Sequence, residues 1–312
     1  MSNEHRPKIV VLGSINMDLV VRCAQLPKPG QTVLAQSSME YCGGKGANQA
    51  VAVALAGGSV SIVSAVGNDA FAQRLLLNLR QHDVDCHHVA QRAAVASGLA
   101  IISVDAAGQN CIMVVPGANA TITRDDVLAA KSVIQQGDVL LVQLEIPLEA
   151  VLAGIEVARA AGVRVVLDPA PVSGELPRDF LEVDLICPNE TEAAELTGQH
   201  IASVEDARSA AVTLHKRGAK NVAITLGERG TLLSLDTTRS QLIPSFTIDA
   251  VDTTAAGDAF AGALVVHWAQ TDDLISAIRF ANAAGALAAS RHGAQASMAD
   301  RATIETLMGT SK

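Results

Sequence analysis

DVLLVQLEIPLEAVLAGIEVARAAGVRVVLDP, residues 138–169, sets the rhythm that decides the fold. DVLLVQLE (138–145) and VRVVLDP (163–169) are short, apolar and rich in β-branched residues, which reads as strands buried on both faces. The 148–162 stretch between them is an Ala/Leu-rich amphipathic segment of helical length. A strand, a crossover helix and a second strand form a parallel unit, and the same rhythm runs through the chain. KIVVLGS (8–14), SIVSAVG (61–67), VDLICPN (183–189) and NVAITLG (221–227) read as further strands. Residues 45–57, 70–82, 125–136, 190–198 and 203–218 read as helices between them, and 257–270 and 272–291 as two closing helices. The fold class is α/β, a mostly parallel sheet with helices on both sides.

Two regions break the pattern. Residues 16–43 hold short apolar pieces split by PKPG, and 95–116 read as a hairpin turning at DAAGQN. Together they predict a small β-sheet apart from the α/β core, either an edge extension of the main sheet or a lid over a site.

The 312 residues suffice for a substantial core, and with 49% apolar but only 2% aromatic residues it must be built from Ala, Val, Leu and Ile. A formal charge of −9 argues against nucleic acid or an anionic membrane as main partner. It leaves room for an anionic ligand held by local N–H groups. The five cysteines (Cys23, Cys42, Cys86, Cys111, Cys187) are scattered, with no CxxC, as in a reducing compartment. No signal-like or membrane-length apolar segment is seen, so a soluble, cytoplasmic chain is expected.

The chemistry-bearing stretches fall mostly at strand ends, where open parallel sheets bind ligands. In DTTAAGDAF (252–260), Asp252 or Thr253 can cap a helix while Ala255, Ala256 and Gly257 leave their N–H groups unobstructed. Free donors at the positive end of the helix make an anion pocket, and Asp258 stands beside it. A phosphoryl group on those amides and a hydroxyl on Asp258 is the geometry of in-line phosphoryl transfer. The plain alternative is a capped helix packed closely on a neighbour. GGKGANQA (43–50) has glycines ahead of a helix but not the P-loop spacing, so it is a ligand loop offering Lys45 and Asn48, or simply a tight turn. Asn16 and Asp18 in INMD suit sugar hydroxyls, and are also ordinary turn formers. Glu145 in QLEIP ends an apolar strand, where carboxylates usually face solvent. In PNETE (188–192), Asn189 and Glu192 have capping-box spacing, which leaves Glu192 able to hold a metal-bound water as well. TLGERG (225–230) reads as a turn between antiparallel strands, or as phosphate contacts through Thr225 and the glycine backbones.

GGKGANQA, PNETE and DTTAAGD together resemble the ribokinase (PfkB) family of sugar kinases. SINMD, QLEIPLEA, DPAPVSGELP, TLGERG and SRHGAQAS extend the match in order along nearly the whole chain. The resemblance implies a Rossmann-like three-layer core (1–15, 44–94 and 117–312) and a β-sheet lid (16–43 and 95–116) that also clasps a second copy into a homodimer. It implies ATP-dependent phosphorylation of the 5-hydroxyl of D-ribose, with 2-deoxyribose, another pentose or a nucleoside as alternatives. By it, Asp258 is the catalytic base and the amides of Ala255, Ala256 and Gly257 are the anion hole. Asn16, Asp18, Gly44, Lys45, Asn48 and Glu145 match sugar-binding positions. Asn189, Thr225, Gly227, Gly230 and Asn282 match nucleotide-binding positions, and Glu192 organises Mg²⁺. A monovalent cation, usually K⁺, is implied at the Asp252 side chain, Thr254, Ala288, Arg291, Gly293 and Ser297.

The chain departs from the family at DPAP (168–171) in place of NPAP, at DAFAG in place of DTFNG, and at His292 and Ala296 of SRHGAQAS. None removes a catalytic group. A non-catalytic sugar sensor is disfavoured by the intact Asp258, and a dehydrogenase by GSINMD standing where GxGxxG belongs.

Overall fold

The computed structural model describes residues 6–172 and 174–310. The outer ends of the expected core segments 1–15 and 117–312, and Ser173 of DPAPVSGELP, lie outside them. Thirteen strands form two sheets. In chain order they are β1 (Lys8–Leu12), β2 (Asn16–Cys23), β3 (Ala35–Gly43), β4 (Ser59–Gly67), β5 (Val84–Arg92), β6 (Gly98–Val104), β7 (Asn110–Val115), β8 (Val139–Val142), β9 (Arg164–Leu167), β10 (Leu185–Ile186), β11 (Val222–Thr225), β12 (Thr231–Ser234) and β13 (Ser240–Ile243). The large sheet runs β13-β12-β11-β10-β9-β8-β1-β4-β5, parallel throughout except for the β11-β12-β13 meander. The small one runs β3-β2-β6-β7 and shares no strand pairing with the first, so it is not an edge extension of the main sheet.

Eleven α-helices are described: α1 (Lys45–Leu55), α2 (Ala70–Gln81), α3 (Arg124–Ala129), α4 (Lys131–Gln135), α5 (Leu148–Ala160), α6 (Arg178–Leu181), α7 (Glu190–Thr197), α8 (Val204–Lys216), α9 (Ala256–Thr271), α10 (Leu274–Ala289) and α11 (Arg301–Thr310). Alternation along β1 shows how they are placed. Ile9 and Val11 enter a core shared with α1, α9 and α10, while Val10 and Leu12 enter a second core under α3, α4, α5, α7 and α8. Both faces of the sheet are therefore dry, as the continuous apolar strands require.

The expected single helix at 125–136 is broken at Ala130 into α3 and α4. Strand β5 was hidden by the Asp and two His of VDCHHVAQR, which an edge strand can expose.

The scarcity of bulk in DAFAG has a packing cause. A Cβ on Gly262 would lie 2.5 Å from the Ala52 Cβ and 2.9 Å from the Gln49 carbonyl oxygen. Only glycine lets α9 approach α1 this closely, and the approach brings the start of α9 to the side chains of α1.

Candidate active site

Asp258, in the first turn of α9, is 4% exposed. Its Oδ2 accepts from Asn48 Nδ2 at 2.9 Å and its Oδ1 from Gln49 Nε2 at 3.0 Å, with Lys45 Nζ 4.0 Å away. All three donors lie on α1, whose start is set by Gly44 at φ 89°, a left-handed conformation natural to glycine. Each amide is held in turn. Gln295 Nε2 donates to Asn48 Oδ1 at 3.0 Å, and Asn78 Nδ2 to Gln295 Oε1 at 2.7 Å. Gln143 Nε2 donates to Gln49 Oε1 at 2.5 Å, and the Gln49 amide also reaches Asp168 Oδ2 at 2.6 Å. Gln49, Gln143, Asp168 and Gln295 carried no role in the sequence reading, although all four lie in stretches that carry the resemblance: GGKGANQA, QLEIPLEA, DPAPVSGELP and SRHGAQAS.

The helix start differs from expectation. Neither Asp252 nor Thr253 caps α9: the cap residue is Ala255, left-handed at φ 58°, without a side-chain bond. A non-glycine residue there is strained by about 1–2 kcal/mol. Of the expected anion donors, the Ala256 amide is spent on the Thr253 carbonyl at 3.2 Å. Among the described residues the amides of Ala255, Gly257 and Asp258 itself make no hydrogen bond, so the pocket keeps three free donors, with Asp258 replacing Ala256.

Around this carboxylate lie the other expected sugar-site residues. Glu145 is half-buried, not solvent-facing: its Oε2 accepts from Ser14 Oγ at 2.5 Å and from the Lys45 amide at 3.1 Å, fastening the start of α1. Asp18 lies over Gly43 and receives no hydrogen bond from any described residue. Burial first, then the charges of Glu145 and Asp258, push its carboxyl up to about 7. Burial opposes the charge of Lys45, but Asp258, Asp168, Glu145 and Glu192 together hold its ammonium above the ordinary range. Asn16 is 3% exposed and accepts from Asn119 Nδ2 at 2.7 Å.

The second group meets at the ends of β10 and β11. Asn189 and Glu192 form the anticipated capping box of α7, each side chain bonding the other's backbone N–H at 2.9 Å. Asn189 bridges to Thr225 across the sheet, and the Arg229–Glu190 ion pair ties the TLGERG turn to α7. That turn joins antiparallel β11 and β12, with Gly227 at φ 57° and Gly230 at φ 99°. Burial raises the Glu192 carboxyl; its own hydrogen bond and Lys45 oppose this. The Asn282 side chain is engaged within the protein. Its amide donates to the Ile243 and Pro244 carbonyls, each at 3.1 Å, and its oxygen accepts from Thr231 Oγ1 at 2.6 Å, so no free N–H remains for a ligand.

The third group brings 252–254 against 288–297. Asp252 accepts from the Thr254 amide at 2.9 Å and the Gly293 amide at 3.0 Å. Burial opposes its charge, yet these bonds hold its carboxyl below the usual range. The Ala288 carbonyl accepts from the Arg291 amide, and the buried Ser297 hydroxyl donates to the Ala294 carbonyl.

Comparison with known proteins identifies the family. Residues 6–301 match the description "pfkB family carbohydrate kinase". A ribokinase of Staphylococcus aureus (strain COL) is 39% identical over 294 residues, covering 93% of this chain and 96% of its own. A deoxyribokinase of Salmonella typhimurium (strain LT2) is 36% identical over 292 residues, covering 93% and 94%. The solved Arabidopsis thaliana ribokinase, complexed with ribose and ATP, superposes with a TM-score of 0.90 at 31% identity over 97% of this chain and 99% of its own. With a family match from residue 6 to residue 301 and relatives of this likeness along their whole length, the chain belongs to the pfkB family of carbohydrate kinases.

Proposed function

We propose that this carbohydrate kinase transfers the γ-phosphoryl group of ATP to the 5-hydroxyl of D-ribose. The observation that carries the reading is Asp258, a buried carboxylate on two amide donors, beside three free N–H groups at the start of α9. Asp258 orients the hydroxyl and takes its proton late in a loose transition state, while the amides of Ala255, Gly257 and Asp258 receive the charge of the transferring group. Asn16, Asp18, Gly44, Lys45, Asn48 and Glu145 bind the sugar. Asp18, half-buried without a donor, is an acceptor that hydroxyls can satisfy. Asn189, Thr225, Gly227 and Gly230 meet the nucleotide, and Asn282 packs beside it without donating.

Four carboxylates surround the single Lys45 ammonium, so a polyphosphate needs further positive charge. Among the described residues no three His, Cys, Asp or Glu side chains form a metal cage, which suits Mg²⁺, an ion held largely by phosphates and waters. Glu192 would hold it through water, because its second oxygen is free of the cap. The ion would neutralise charge on the phosphates. The Asp252 carboxylate, which accepts from the Thr254 and Gly293 amides, would hold K⁺ together with Thr254, Ala288, Arg291, Gly293 and Ser297. The small sheet, 16–43 and 95–116, is proposed as lid and as dimer clasp. In support, it exposes Tyr41, Ile112, Met113, Val114 and Val115, an apolar surface of the kind that partners cover. Five unpaired cysteines support a cytoplasmic setting, and among the described residues no helix is long and apolar enough to cross a membrane.

The likeness to a deoxyribokinase makes 2-deoxyribose the second reading. ADP release from ATP and Mg²⁺ with D-ribose, 2-deoxyribose, other pentoses and nucleosides, each in K⁺ or Na⁺, tests both. Turnover with D-ribose raised by K⁺ is the expected result. Preference for 2-deoxyribose transfers the assignment to that sugar, and silence across the panel overturns the kinase reading.

A further inference from the structure

We propose that Asn119 is a positioning residue that fixes the amide of Asn16 with its NH₂ toward the sugar and its oxygen turned away. The inference rests on the reading of Asn16 as a sugar contact.

Asn119 lies in the 3₁₀ turn Gly117–Thr121, where the chain returns from β7 to the core, and is 1% exposed. Its Oδ1 accepts from the Ile15 backbone N–H at 2.9 Å, and its Nδ2 donates to the Ile15 carbonyl at 3.1 Å. A backbone N–H only donates and a carbonyl only accepts, so this pair sets the Asn119 amide in one orientation. Its remaining N–H then points at Asn16, where the atom met at 2.7 Å must be an acceptor, Oδ1. Asn16 cannot flip without setting two NH₂ groups against each other. Its own Nδ2 is left with no partner among the described residues, although the residue is 97% buried by its 3% exposure.

The fold makes room for this pair. A Cβ on Gly98 would lie 2.1 Å from Asn16 Oδ1 and 2.3 Å from Asn119 Nδ2. Asn16 and Asp18 are two residues apart on β2 and share one face. The strand therefore presents a donor and an acceptor side by side. One sugar hydroxyl can give its proton to Asp18 while another offers a lone pair to Asn16, a polarity that a flipped Asn16 would destroy.

The direct test is Asn16→Asp. This change keeps the inward oxygen that Asn119 holds and replaces only the outward NH₂ with an acceptor. The expected result is KM for the sugar raised about tenfold or more, KM for ATP within twofold, and some loss of thermal stability from the added buried carboxyl. Were the Asn16 oxygen outward instead, the variant would keep its sugar affinity and exchange the clash with the Asn119 NH₂ for a hydrogen bond, which overturns the assignment. Asn119→Asp, which retains the bond from the Ile15 N–H but loses both donors, should raise KM for the sugar about tenfold with kcat little changed. On an Asn16→Ala background it should add nothing further. Multiplying effects in the double variant would refute action through Asn16. An Asn16→Ala variant with unchanged sugar KM would instead sink the sugar-site reading beneath the proposal.

Discussion

Asp168 offers the sharpest test of the electrostatics. It directly follows β9, is 8% exposed, and shares the Gln49 amide with Asp258. Burial, against the pull of Lys45 and with the push of Glu192 and Asp258, raises its carboxyl from the ordinary 3.8 to about 7. The folded protein therefore binds this proton more tightly than the unfolded chain. Stability from Asp168 is complete below the unfolded value and is lost as pH rises through the folded one. A rise of about three pH units at 1.36 kcal/mol each makes the loss on the order of 4 kcal/mol. Asp168→Asn keeps an oxygen for Gln49 and removes the titration. Its urea-unfolding free energy, measured from pH 5 to pH 8, should gain on wild type by up to ~1.4 kcal/mol per unit until about pH 7, then run parallel. Asp18 is raised in the same direction but titrates in both proteins and cancels. Parallel stability curves across the whole range would show that Asp168 carries no displaced proton, and the reasoning from its burial would fall with it.

Asp258→Asn should lower kcat by two to four orders of magnitude while calorimetric sugar binding persists; near-normal turnover would remove the base. Asp252→Ala should abolish the difference between K⁺ and Na⁺ in steady-state rate, and an unchanged K⁺ response in a folded variant would dismiss the cation site. Gly262→Val drives a side chain into Ala52 and the Gln49 carbonyl. Overpacking of about 1–3 kcal/mol should lower Tm by several degrees and, by shifting α9 from α1, reduce kcat more than it changes KM. A variant with lowered Tm and intact kcat would uncouple that packing from the placement of Asp258.

How much of this was legible follows from where the signals are local. Parallel strands buried on both faces write themselves as continuous apolar runs, so β1, β4, β8, β9 and β11 were readable from composition alone. Edge strands were not: β5 and β13 expose polar residues, whereas VDLICPN was read as a strand although only two of its residues, in β10, pair as one. The small sheet announced itself only by interrupting the α/β rhythm, since β2 pairs with β6 across more than seventy residues of chain.

The site divides along the same line. The groups proposed to react or to bind anions sit at helix starts, where glycine and small residues mark the spot, so Lys45, Asn48, Asn189, Glu192 and Asp258 were visible. The residues that hold them came from everywhere else. Asn119 reaches back 104 positions to Ile15, Gln143 94 positions to Gln49, and Gln295 247 positions to Asn48. A buried Asn or Gln has no periodic signature, because its role depends on which partner the fold brings within 3 Å. Yet these amides carry a large part of the design. Neutral donors, each oriented by the next, hold Asp258 in one place and one orientation without adding charge to the site.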